Sequence, residues 1–79
     1  MGGKFTRTLK TLDYSSCVEI LSAQVELAER LDHHPNVEVS YRKITFQIWT
    51  HDRGGITQLD IDYIEGLDKL LENFTEVLR

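Results

Sequence analysis

The sequence predicts an α+β fold of two layers: an antiparallel β-sheet of about three strands, backed by two amphipathic helices, in the order β-α-β-β-α. Apolar side chains recur at spacings of three and four in two stretches, 14–31 and 63–78, while apolar and polar residues alternate in three others. The single proline, Pro35, and the pair Gly54-Gly55 punctuate the chain between these segments. Helices and strands in that sequence order bury their apolar sides by stacking one layer on the other.

Along 4–12, Phe5, Arg7, Leu9 and Thr11 alternate with Thr6, Thr8 and Lys10, a Thr-rich pattern that favours a strand with a thin apolar face. Asp13 is placed to accept a backbone N–H as N-cap, and Ser16 with Glu19 offers a second helix start three residues later. Tyr14, Cys17, Val18, Leu21, Val25, Ala28 and Leu31 then line one helical face. Pro35 disfavours helical geometry at His34, so the helix is expected to end near Asp32 or His33. Val37, Val39 and Tyr41 alternate with polar residues, as do Ile44, Phe46 and Ile48, with Arg42-Lys43 in the position of a hairpin loop. Thr57 and Asp60 have capping-box spacing, and Tyr63, Ile64, Leu67, Leu70, Leu71, Phe74 and Leu78 form the second apolar face. Ile44, Phe46 and Ile48 are expected to meet the helices. Trp49 falls on the other face, where an uncovered aromatic beside proline-free edges suits a subunit contact or a ligand.

Seventy-nine residues make one domain, 1–79, because a second independent core would not fit. So small a core leaves a thin stability margin, and self-association is expected. With 41% hydrophobic and 28% charged residues the chain has a globular composition. Nine Lys and Arg against thirteen Asp and Glu give a net charge of −4, and no run of basic residues offers a phosphate backbone a landing site. No nucleic-acid partner is expected. Cys17 has no partner for an intramolecular disulfide, lies on the apolar helical stripe and reads as core. No apolar run is long enough for a signal core or a membrane span, so a cytoplasmic protein without a membrane partner is expected.

All three histidines fall in connections: His33 and His34 where the first helix ends, and His51 just before the glycines. Histidine exchanges protons near neutral pH without special tuning, its unperturbed pKa being about 6.5. Glu29 lies four residues before His33 and would share its helical face if the helix persisted. Three readings fit this placement. The histidines transfer protons, or they are polar terminators of a helix, or they ligate a metal together with a carboxylate. Adjacent side chains diverge from a regular backbone, which disfavours His33 and His34 sharing one ion.

Glu29, then His33-His34-Pro35, Tyr41 after five intervening residues, His51 after nine and Asp60 after eight closely resemble the signature of pterin-4a-carbinolamine dehydratases. Leu31-Asp32 and Thr50-His51 resemble the same family. The resemblance implies an α+β fold, assembly into homodimers or homotetramers, and dehydration of 4a-hydroxytetrahydropterin to quinonoid dihydropterin at a site with no metal and no cofactor. It implies that His33 and His51 are the acid and base, and that His34 binds or orients the pterin. Glu29, Asp60, Pro35 and Tyr41 would support the histidines and the substrate. Typical members carry a further helix and strand ahead of the segment that begins here at Lys4, so a short version with a free sheet edge is expected, and Leu59 stands where many members have a basic residue. The alternative that the same resemblance carries is a non-catalytic interaction, assembly or coactivator module.

Overall fold

The computed structural model describes residues 3–50 and 54–79. Strand β1 (Phe5–Lys10), helix α1 (Tyr14–Leu31), strands β2 (Asn36–Ser40) and β3 (Lys43–Ile48), and helix α2 (Gln58–Leu71) follow in the predicted order. The strands form one sheet of order β1-β3-β2, antiparallel throughout. The most apolar strand thus takes the centre, where both its neighbours shield it.

Register decides the faces. Phe46 pairs with Arg7 and Val37, and Ile44 pairs with Leu9 and Val39, so these side chains share the face toward the helices. Ile44, Phe46 and Ile48 are fully buried there, as expected. The opposite face is polar: Thr6, Thr8 and Lys10 from β1 stand beside Thr45 and Gln47, and the Thr8 and Thr45 hydroxyls lie 3.1 Å apart. Trp49 follows β3 half-buried, with the Lys4 ammonium 5.3 Å from its ring centre.

Helix α1 starts where its cap residue dictates. Asp13 is extended, and its carboxylate accepts the Ser16 N–H at 2.8 Å and the Ser16 hydroxyl at 2.6 Å. Those two bonds hold the Asp13 carboxyl below its usual range. The alternative start at Ser16 is not used, since Ser16 is buried in the first turn. The buried face of α1 is rotated from the expected one. Cys17, Ile20, Gln24, Leu27 and Ala28 are buried, whereas Tyr14, Val18 and Val25 are exposed. Gln24 belongs to the core because it accepts the Tyr63 hydroxyl at 2.7 Å, and burial raises the Tyr63 pKa so that the phenol stays a neutral donor.

Three boundaries differ from expectation. β1 ends at Lys10, and the buried Thr11 instead bridges to Leu78 while its N–H meets the Arg42 carbonyl at 2.7 Å. The hairpin loop is Tyr41-Arg42, one residue earlier than expected, because Ser40 and Lys43 pair across it and Tyr41 takes the left-handed conformation with φ of 56°. Helix α2 stops at Leu71 and tightens into a single 3-10 turn, Glu72–Phe74. Phe74 and Leu78 still pack on the core, but from beyond the helix, as the chain turns back for Leu12 to donate to Val77 at 2.7 Å.

Candidate functional site

The end of α1 aims the two adjacent histidines apart. Asp32 adopts φ of 50°, and its N–H meets the Glu29 carbonyl at 3.1 Å while the His33 N–H meets the Ala28 carbonyl at 3.0 Å. These bonds are the pair that closes a helix through a left-handed residue, a conformation that Asp tolerates better than most. The helix therefore ends four residues before Pro35, by its own C-terminal bonds. His33 turns inward, its side chain 13% exposed, and His34 turns out to solvent.

The start of α2 supplies the inward partner. Asp60 is the third residue of this helix and its carboxylate accepts the Thr57 backbone N–H at 2.7 Å, the box that the Thr-x-x-Asp spacing predicts. From the end of β3, the Thr50 hydroxyl donates to the same oxygen at 2.7 Å. The other oxygen, Oδ1, lies 2.7 Å from His33 Nε2. Asp60 is completely buried, and three elements meet on its carboxylate. Burial pushes its pKa up, but the hydrogen bonds from His33, Thr50 and the Thr57 backbone outweigh that and hold the carboxyl below the ordinary 3.8. The positive end of α2 favours the same charge.

An ionised carboxylate only accepts hydrogen bonds, so His33 Nε2 carries the proton. In the neutral ring Nδ1 is then the basic nitrogen. Among the described residues no hydrogen bond engages Nδ1. A proton taken up there develops charge next to a fixed carboxylate, which compensates it.

Glu29 does not serve His33. It pairs with His34, Oε2 to Nε2 at 2.6 Å, because the left-handed Asp32 swings the chain out of the helical path on which a spacing of four would have applied. Both side chains of that pair are more than half exposed, so its worth for stability is small. Pro35 is half-buried and leads directly into β2. Tyr41 sits past the far end of that strand, about 20 Å away by strand rise, and is 70% exposed. Within one chain it does not join the Asp60 cluster. It lines a concavity with Lys10, Arg42, Lys43 and Arg79, four of the nine basic residues, which folding gathers from three separate segments. His51 lies outside the described residues. Among the described residues no three His, Cys, Asp or Glu side chains group as metal ligands, and no helix is long and apolar enough to cross a membrane.

Sequence reasoning missed Thr50 and Thr57 as partners of Asp60 through their side chains. Thr57 was visible as a cap. Nothing local announces that a strand-end hydroxyl ten residues upstream converges on the same carboxylate.

A family model described as Pterin 4 alpha carbinolamine dehydratase matches residues 1–70. A protein of Picosynechococcus named for pterin-4-alpha-carbinolamine dehydratase is 40% identical over 67 residues, covering 85% of this chain and 73% of its own. One of Natronomonas pharaonis with the same name is 41% identical over 71 residues, covering 90% of this chain and 77% of its own. The crystal structure of a transcriptional coactivator/pterin dehydratase from Brucella melitensis superimposes with a TM-score of 0.78 at 30% identity, over 84% of this chain and 70% of that one.

Proposed function

The chain belongs to the pterin-4-alpha-carbinolamine dehydratase family, and from that premise we propose that it is a hydro-lyase removing water from a 4a-hydroxytetrahydropterin to leave the quinonoid dihydropterin. The observation that supports this reading most is the 2.7 Å contact between His33 Nε2 and the fully buried Asp60. In the reaction the C4a–O bond breaks as a proton reaches the leaving hydroxyl, and a second proton leaves N5, so the products are water and the dihydropterin. Two groups that exchange protons near neutrality suffice. His33 exchanges its proton at Nδ1, the nitrogen that Asp60 leaves unprotonated in the neutral ring. His51, the family's matching second histidine in the sequence pattern, is the proposed partner, and His34, held by Glu29, orients the pterin. The reading needs no cofactor. It includes a cytoplasmic location and self-association through β1 and β2, the two sheet edges among the described residues.

Stopped-flow detection of quinonoid dihydropterin formed from 4a-hydroxytetrahydropterin tests this. Acceleration over the uncatalysed dehydration is expected, and its absence at every protein concentration contradicts the reading.

One observation favours a second reading, a protein-interaction module. Tyr14, Val18 and Val25 form an exposed apolar flank along α1, and the similar Brucella melitensis protein is named a transcriptional coactivator as well as a pterin dehydratase. Catalytic silence, together with partner capture that Val18→Asp abolishes, is the outcome that reading requires.

A further inference from the structure

The two oxygens of Asp60 have different surroundings. Among the described residues Oδ1 meets only the His33 ring, whereas Oδ2 accepts the Thr57 N–H and the Thr50 hydroxyl, both at 2.7 Å, and the Thr57 hydroxyl oxygen lies farther off at 3.3 Å. Each hydroxyl has a single proton. Thr50 donates its proton to Asp60, which leaves its own oxygen to accept, and the Thr57 hydroxyl 2.8 Å away is the donor placed to fill it. A directed chain results, from Thr57 to Thr50 to the carboxylate, in which each bond polarises the next.

Thr50 differs from the other donors in where it is anchored. Thr57 precedes Asp60 on the same helix start, so the two move together. Thr50 lies two residues past β3, and its backbone is fixed by an isolated bridge to Gly55, whose carbonyl lies 2.7 Å from its N–H and whose N–H lies 3.3 Å from its carbonyl. Its hydroxyl therefore resists rotation of the Asp60 carboxylate, the motion that would swing Oδ1 away from His33.

We propose that Thr50 is a positioning residue: its hydroxyl, anchored by the backbone bridge to Gly55 just past β3, sets the Asp60 carboxylate so that His33 is kept in the tautomer with its proton on Nε2. The catalytic consequence rests on the dehydratase reading; the effect on the ring does not.

Two variants that lack the hydroxyl, Thr50→Val and Thr50→Ala, and one that keeps it, Thr50→Ser, are compared with the unaltered protein by 15N NMR of the histidine rings at neutral pH. The unaltered protein and Thr50→Ser are expected to show well-separated His33 nitrogen resonances, protonated Nε2 and bare Nδ1. In Val and Ala the two resonances converge as the tautomers mix. Dehydratase kcat is expected to fall about tenfold in Val and Ala, in keeping with one lost hydrogen bond to a charged group, with KM unchanged and Ser restoring the rate. Unchanged His33 resonances in whichever hydroxyl-free variant folds overturn the assignment, whatever the activity. Converging resonances in a protein that turns over no pterin uphold the positioning and overturn the dehydratase reading instead.

Discussion

Asp60 keeps its charge in complete burial because every direction from which it lost water is replaced by a donor: His33, Thr50 and the Thr57 backbone. Removing the carboxylate leaves those donors unanswered. Asp60→Ala is expected to lower unfolding free energy by about 3 kcal/mol, the scale for breaking a buried charge-assisted pair, measured by urea denaturation. Since the folded carboxyl is held below 3.8, its contribution is fully present above the ordinary aspartate range. It is lost as pH falls through the folded value, because the unfolded chain binds the proton first. The acid limb of stability against pH should therefore be shallower in Asp60→Asn than in the unaltered protein, as acid titration of folding will show. The Thr57–Asp60 half of this cluster was legible in the sequence, since a capping box is a local spacing. The His33–Asp60 bond spans 27 residues and the Thr50 bond ten, distances at which only the fold decides who meets whom.

Among the elements, α1 shows how periodicity finds a helix and still misplaces its face. Apolar residues fill a wider arc than the sheet and α2 cover, so Tyr14, Val18 and Val25 fall on the flank, while Gln24 holds the centre by bonding Tyr63. Hydrophobicity alone cannot see that a glutamine has a buried donor waiting. The end of α1 was predicted to within a residue, but through Pro35 rather than the left-handed Asp32 that ends it. Asp32 also puts a negative charge at the negative end of the helix. Asp32→Gly is expected to stabilise the protein by about 0.5–1 kcal/mol, raising Tm by about 2–8 °C for a domain this small, as thermal unfolding will report. Gly66 lets α2 approach α1: a Cβ there would lie 2.6 Å from Leu27 Cδ1 and 3.4 Å from its Cγ. The Leu27 methyls would have to turn away within the helix–helix contact, so Gly66→Ala is expected to cost about 1 kcal/mol despite alanine's better helix propensity. A gain in stability would contradict that close approach.

Over the whole molecule, fold class, strand count and element order followed from alternation and helical spacing, because a two-layer domain leaves few ways to bury those faces. Charge distribution did not follow. The sequence has no basic run, yet Lys10, Arg42, Lys43 and Arg79 share one concavity at the end of the sheet away from Asp60. The core rests on a few large residues; Phe46→Ala is expected to cost about 3–5 kcal/mol, enough to abolish cooperative unfolding in so small a domain. That the α1 end, the α2 start and the β3 end converge to hold one imidazole for proton exchange is the central claim. The most direct measurement of it is single-turnover dehydration of 4a-hydroxytetrahydropterin by His33→Ala beside the unaltered protein. A drop of about 10²–10⁴-fold with the fold intact is the predicted result, and turnover undiminished in His33→Ala would contradict it.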